Sequence, residues 1–168
     1  MTAGRANNLP YRQCIGAFLI NRDGRVLVGQ RLDRHEPAWQ LPQGGIEPNE
    51  TPRQAVLREL SEEIGTDRAT VIGEMPDWIA YDFPGNLVGR LWNGRYRGQN
   101  QKWFALRFDG CDAEINVAAG AHPEFRDWKW VPISALPALA VPFKRSVYEA
   151  VVACFGPLSN GPLHRKPR

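Results

Sequence analysis

An α/β sandwich is the fold this sequence predicts, and three observations predict it. Short apolar or aromatic runs suited to strands recur along most of the chain. Two helical patterns, one near the middle and one near the end, are separated by several of those runs. The length, 168 residues, suits one domain with a single sizeable core, and no internal repeat or low-complexity linker divides it. Strands mixed with separated helices pack most simply as a layered sandwich.

Each element has its own local signal. Residues 1–10 contain no apolar h-region and are expected as a flexible N-terminus, with nothing to suggest secretion. From Cys14 to Gln30 the pattern is a β-hairpin. Cys14 to Ile20 is an apolar arm, Asn21-Arg22-Asp23-Gly24 turns, and Val26-Leu27-Val28 returns. Trp39-Gln40-Leu41 makes a short extended piece, and Pro42-Gln43-Gly44-Gly45 reads as a tight glycine loop. A helix follows over about residues 52–64. Thr51 is its N-cap, Pro52 its first residue, and Gln54 completes a capping box. Val56, Leu57, Leu60 and Ile64 form the core-facing stripe, and Gly65 suits the left-handed residue that ends it.

Strands are expected over Thr70 to Ile72, Trp78 to Tyr81, Gln101 to Phe108 and Trp128 to Val131. Residues 83–98, with Gly85, Gly89, Gly94 and Gly98, read as a long loop, and loops of that length in compact domains are often functional. Phe143 to Phe155 closes the domain as an amphipathic helix, so the domain runs over residues 11–156. Residues 157–168 remain as a basic C-terminal tail.

Composition excludes several classes. A content of 43% hydrophobic and 23% charged residues is that of a globular protein rather than a disordered one. No apolar run approaches the roughly 20 residues that span a bilayer, so no membrane association is expected. Cys14, Cys111 and Cys154 are odd in number and widely spaced, fitting free thiols in a reducing cytoplasm. His35, His122 and His164 make no metal cluster and read as surface residues. A net charge of +3 tolerates an anionic ligand without implying nucleic acid.

The chemistry concentrates in one helical turn. Glu59, Glu62 and Glu63 crowd together, and like charges at i,i+4 repel by roughly 0.2–0.5 kcal/mol per pair. Taken alone, they are a solvated acidic face softened by Arg58 four residues before Glu62. The positions four after Glu59 and Glu63 hold Glu63 and Asp67, however, so no cation relieves those two. A hard divalent cation such as Mg²⁺ wants oxygen ligands from a few carboxylates and substrate phosphates. Metal binding would convert the repulsion into affinity.

From Gly44 the chain reads glycine, five residues, Glu50, seven residues, Arg58-Glu59-Leu60, Ser61, Glu62-Glu63, Ile64 and Gly65. This stretch resembles the signature box of the Nudix hydrolases, with Thr66 departing from the family's usual aliphatic residue. The resemblance implies an α/β/α sandwich, with a mixed sheet between helices, that hydrolyses a nucleoside diphosphate linked to another group. It implies Mg²⁺, or Mn²⁺, held by Glu59, Glu62, Glu63 and Gly44, with Glu124 as a further metal ligand or general base. Glu50, Arg58 and Gly65 would shape the loop and helix.

Tyr11-Arg12, Pro42-Gln43-Gly44-Gly45 and Gly98-Gln99-Asn100-Gln101-Lys102-Trp103-Phe104 resemble the bacterial RNA pyrophosphohydrolase and dinucleoside polyphosphate hydrolase branch. Trp78-Ile79-Ala80-Tyr81-Asp82-Phe83-Pro84 and Leu91-Trp92 are similar to diadenosine tetraphosphate hydrolases. The resemblance implies that Arg12, Arg31, Gln43, Gln101, Lys102 and Lys144 meet phosphates, and that Tyr81 and Phe143 meet a base. Taken alone, Arg12 and Arg31 are surface arginines, Lys102 a strand-edge lysine, Tyr81 a sheet tyrosine and Phe143 a core residue. The implied substrates are a dinucleoside polyphosphate, split asymmetrically, or a 5′-triphosphorylated RNA end. A binding module without catalysis, or a hydrolase that sanitises mononucleotides, are the other readings. Oligomeric state leaves no mark in the sequence.

Overall fold

The long apolar arm at the start of the chain is explained by burial on both faces of a sheet. In a computed structural model that describes residues 8–33 and 38–160, strand β1 (Tyr11–Ile20) is buried without interruption from Cys14 to Ile20. A strand covered on both sides loses the apolar–polar alternation of a half-exposed one. Alternate residues serve two cores. Ile15, Ala17 and Leu19 pack under the middle helix, while Phe18 and Ile20 pack under the last one.

After β1 come β2 (Arg25–Arg31), β3 (Trp39–Gln40) and β4 (Gln43–Gly45), then helix α1 (Pro52–Ile64). Strands β5 (Ala69–Glu74), β6 (Ile79–Asp82), β7 (Gly98–Phe108) and β8 (Phe125–Pro132) follow. Helices α2 (Leu136–Leu139) and α3 (Arg145–Phe155) close the chain. The mixed sheet orders as β3-β2-β1-β7-β5, with β4 also on β1, β6 on β7 and β8 on β2. Its centre is parallel: β1 and β7 register from Tyr11 opposite Gly98 to Ile20 opposite Arg107.

Helix α1 has the expected bounds. The Thr51 hydroxyl accepts from the Gln54 amide at 3.1 Å, the Gln54 side chain accepts from the Thr51 amide at 3.0 Å, and Gly65 ends the helix at φ 76°. Strands β1 and β2 meet only at Ile20 and Val26 and then part. The wedge between them is bridged by β3 on β2 and β4 on β1. The expected glycine loop is therefore a strand, because Gln43 to Gly45 pair with Gly16 to Cys14.

Two further expectations are corrected. Gly156–Asn160 form a 3₁₀ turn rather than the start of a tail, since Leu158 packs on the core beneath α3. Phe143 lies in a separate 3₁₀ turn, Pro142–Lys144, ahead of α3. Residues 1–7, residues 161–168 with His164, and His35 lie outside the described residues. Among the described residues, no helix is long and apolar enough to cross a membrane.

Candidate active site

The wedge opens into a cavity of about 720 Å³ whose walls come from several parts of the chain. Helix α1 supplies Glu59 and Glu62, strands β1 and β2 supply Arg12 and Arg31, and β4 supplies Gln43, Gly44 and Gly45. The loop after β6 contributes Leu87, Leu91 and Trp92, while Glu124, Phe143 and Lys144 come from further along the chain.

The two β4 glycines are required by space rather than by backbone angle, as neither has a positive φ. A Cβ on Gly44 would collide with the Glu59 carboxylate, and one on Gly45 with the Arg12 guanidinium. One glycine thus seats a carboxylate on one face of β4, and the next seats a cation on the other.

Arg58 organises the acidic turn. Its guanidinium donates to Glu50 at 2.7 and 3.0 Å, to the Gly45 carbonyl at 2.8 Å, to Glu59 at 2.9 Å and to Glu62 at 3.1 Å. Glu50 also accepts from the Glu47 amide at 2.9 Å, so Arg58 and Glu50 pin the loop to the helix. Glu62 is exposed, but Glu59 and Glu63 are buried, so the turn is not a solvated acidic face. Burial raises the Glu59 carboxyl to about 7. Glu63 is raised well above the ordinary range, first by burial and then by the charge of Glu124. Glu63 Oε2 accepts from the Gln43 amide at 3.2 Å, and no donor reaches Oε1. A bond from Oε1 to Glu124 would need one of the two to carry a proton.

Those observations test the site for a divalent cation. The donors are hard carboxylate oxygens, and one of them is buried without a partner. Among the described residues no three His, Cys, Asp or Glu side chains already close on one point. The reason is visible: Arg58 holds two of the carboxylates. The donor set fits a cation that takes over part of the role of Arg58.

Facing the carboxylates is a cationic and amide strip. Arg31 donates two parallel bonds to Asp33, at 2.7 and 2.6 Å, and a long one to Gln40 at 3.4 Å. Arg12 lies over the Trp92 ring at 4.6 Å, and Lys144 Nζ lies 5.8 Å from the Tyr81 ring centre. Beyond them Phe83 and Trp92 stack at 5.5 Å, and Tyr81 packs against Phe143 at 5.9 Å, making an aromatic pouch.

The structure brings Glu59, Glu62, Glu124, Gly44, Arg12, Arg31, Gln43, Tyr81, Phe143 and Lys144 to this one cavity, with Glu63 directly behind Gln43. It does not bring Gln101 or Lys102 there. Lys102 is on the opposite face of β7, where its ammonium meets Glu74 at 3.1 Å and the Met75 carbonyl. Gln101 is on the cavity side but sealed beneath Gln43 and Gln99. Tyr81 is buried, with its hydroxyl donating to Gln99 at 2.6 Å, so it frames the pouch instead of offering an open face.

Several wall residues carried no prediction of their own. Asp33, Phe83, Leu87 and Gln99 line the cavity, and His122, exposed as expected, stands at its edge. Trp92 was visible only as part of a resemblance. Its backbone sits at φ 46°, and Asn93 at φ 55°, in the left-handed region. That conformation costs roughly 1–2 kcal/mol for a residue with a side chain, and such residues cluster at functional sites.

Fold and site together define a class: a sandwich whose cleft opposes carboxylates that fit a cation to cations and amides, the equipment for hydrolysing a phosphate anhydride. The chain belongs to the Nudix family, whose NUDIX domain model matches residues 10–151. It is 58% identical over 148 residues to the RNA pyrophosphohydrolase of Rhodospirillum rubrum, a match covering 88% of each chain. It is 53% identical over 157 residues to the RNA pyrophosphohydrolase of Roseobacter denitrificans, covering 92% of this chain and 98% of that one. Among solved structures, the E. coli dihydroneopterin triphosphate pyrophosphohydrolase matches with a TM-score of 0.67 and 26% identity, over 86% of this chain and 98% of that one. A C. elegans Ap4A hydrolase shares the fold, with a TM-score of 0.63 and 18% identity over 87% of this chain and 98% of its own.

Proposed function

We propose that this chain is a Mg²⁺-dependent pyrophosphohydrolase that removes pyrophosphate from 5′-triphosphorylated RNA in the cytoplasm. The observation that carries the reading is one cavity holding an aromatic pouch, a strip of cations and amides, and a carboxylate cluster in sequence. A nucleotide with a phosphate chain has the same order of parts. The names borne by relatives at 58% and 53% identity support the RNA end as substrate.

The roles follow the geometry. Phe143, Trp92 and Phe83 close on a base, with Tyr81 as their frame. Arg12, Arg31, Lys144 and the Gln43 amide neutralise and orient the phosphates. Glu59, Glu62, Glu63 and Glu124, with the Gly44 carbonyl, would hold Mg²⁺, which supplies charge neutralisation and an acidified water. Water attacks phosphorus in line, the anhydride P–O–P bond opens, the departing phosphate takes the electron pair, and a carboxylate accepts the water's proton.

Dinucleoside polyphosphates are a second substrate class, favoured by a separate trough. It adjoins the cavity past Glu59 and Glu62 and runs between Tyr11 and Tyr96, with a volume of about 510 Å³. That space suits a second nucleoside. A competition assay with Mg²⁺, diadenosine tetraphosphate and triphosphorylated RNA tests both readings through kcat/KM. RNA is expected to win, and the tetraphosphate to give a nucleoside triphosphate and a monophosphate. Hydrolysis of neither substrate, or equal halves as the sole product, would overturn the assignment.

A further inference from the structure

Gln101 sits where a substrate cannot reach it, yet it touches two residues of the cavity wall. It is 1% exposed. Its Nε2 donates to Gln43 Oε1 at 2.9 Å and to Gln99 Oε1 at 3.2 Å. Gln99 Oε1 accepts a further bond from the Tyr81 hydroxyl at 2.6 Å. Both Gln43 and Gln99 line the cavity.

A glutamine side chain is polar at both ends, with an acceptor oxygen and a two-hydrogen donor. Left alone beside an anion, it can present either. Here both carbonyl oxygens are taken up from behind, so the amide nitrogen of each is the end that can turn to the cavity. An oxygen facing a phosphate would repel it, whereas an N–H bonded to a charged group is worth more than a neutral bond. Tyr81 cannot set this orientation by itself, since a hydroxyl donates or accepts as its neighbour demands. Gln101 presents one end to both partners at once, and with Nε2 between them it engages both oxygens together.

We infer that Gln101 is a positioning residue for the phosphate chain: it locks Gln43 and Gln99 with their amide donors toward the cavity. This inference rests on the phosphate-handling reading of the cavity. It accounts for the different work of two consecutive polar residues of β7. Lys102 braces the opposite face, while Gln101 sets the polarity of the cavity wall from beneath.

The test uses Gln101→Glu and Gln101→Met, with inorganic tripolyphosphate as the probe. Glutamate keeps the shape but only accepts, so Gln43 and Gln99 must turn their amides inward. Methionine removes the lock without adding charge. Tripolyphosphate affinity should fall about tenfold or more in Gln101→Glu and roughly threefold in Gln101→Met. KM for the nucleotide substrate should rise in parallel, while kcat changes little.

Two further measurements separate positioning from simple support of the fold. In a Gln43→Ala/Gln99→Ala background the Gln101→Met change should have no further effect on affinity, whereas a merely structural role would still show one. In the wild-type protein, tripolyphosphate should shift the side-chain amide NMR signals of Gln43 and Gln99 but not that of Gln101, a readout independent of how the variants fold. Unchanged affinity in both variants, or unmoved Gln43 and Gln99 signals, would overturn the inference. Tripolyphosphate binding with no hydrolysis of any nucleotide would overturn the functional reading instead and leave the inference standing.

Discussion

The carboxylate wall and the aromatic pouch face each other across one cavity, but they are built in opposite ways. All the carboxylates but Glu124 come from one helix within five residues, held by a single arginine that bonds Glu50, Glu59, Glu62 and the Gly45 carbonyl. The pouch draws Tyr81 and Phe83 from around β6, Trp92 from the loop after it, and Phe143 from the turn before α3. It is held by ring packing rather than by charge. One wall is a local arrangement with strong, directed bonds. The other exists only after distant segments have met. On the proposed function, chemistry needs the first, and choice of substrate can be adjusted through the second.

Five changes test that contrast. The largest effect belongs to the carboxylate wall. Glu63→Gln should lower kcat by about 10³-fold, equivalent to about 4 kcal/mol of transition-state stabilisation, with circular dichroism unchanged. Near-normal turnover would move the metal site elsewhere. In the pouch, Trp92→Ala removes a ring that touches both Phe83 and Arg12. If one base stacks there at roughly 1–3 kcal/mol, KM should rise about 5- to 150-fold with kcat nearly kept. An equal loss in kcat alone would place Trp92 in catalysis.

Third comes pH. The Glu59 carboxyl is raised to about 7 in the folded chain, and Glu63 is raised as well. Their folded forms hold protons more tightly than the unfolded chain does. The stability this contributes is full below their unfolded values, near pH 4, and is lost as pH rises through the folded ones. A cation removes that penalty, so the Mg²⁺-induced rise in Tm should be larger at pH 8 than at pH 5.5. A rise that shrank with pH would contradict the placement of these two carboxylates in the metal site.

The smallest effect on activity is expected from Lys102→Met. It should leave KM unaltered and reduce stability by about 1–2 kcal/mol, through loss of the Glu74 and Met75 contacts. Lys144→Met, which changes the cavity itself, should raise KM.

The same contrast governs how much of the molecule was legible in its sequence. Helix α1 was legible to the residue because its cap, its first proline and its terminal glycine are local signals. The strands of the central sheet were found, with ends displaced by one to three residues. β4 was hidden because its glycines read as loop, although they serve to admit Glu59 and Arg12. Strand β7 is buried on both faces, so no alternation marked its sides. One rule could still have separated Gln101 from Lys102: neighbours on a strand point to opposite faces, so one cavity cannot receive both. The pouch had no periodic signature; the length of the 83–98 loop hinted at it, and the resemblance singled out Tyr81, Trp92 and Phe143.

Arg58 carries one further meaning. Small metal domains such as zinc fingers remain unfolded until the ion arrives, because nothing else offsets their ligands. This chain brings its own cation to the same carboxylates. On the proposed metal site, the chain would fold without the ion, and an incoming ion would take over part of the role of a guanidinium instead of building a site from nothing. Assembly would thereby be uncoupled from metal supply: scarcity would silence the enzyme without unfolding it, and replenishment would restore it without a new round of synthesis.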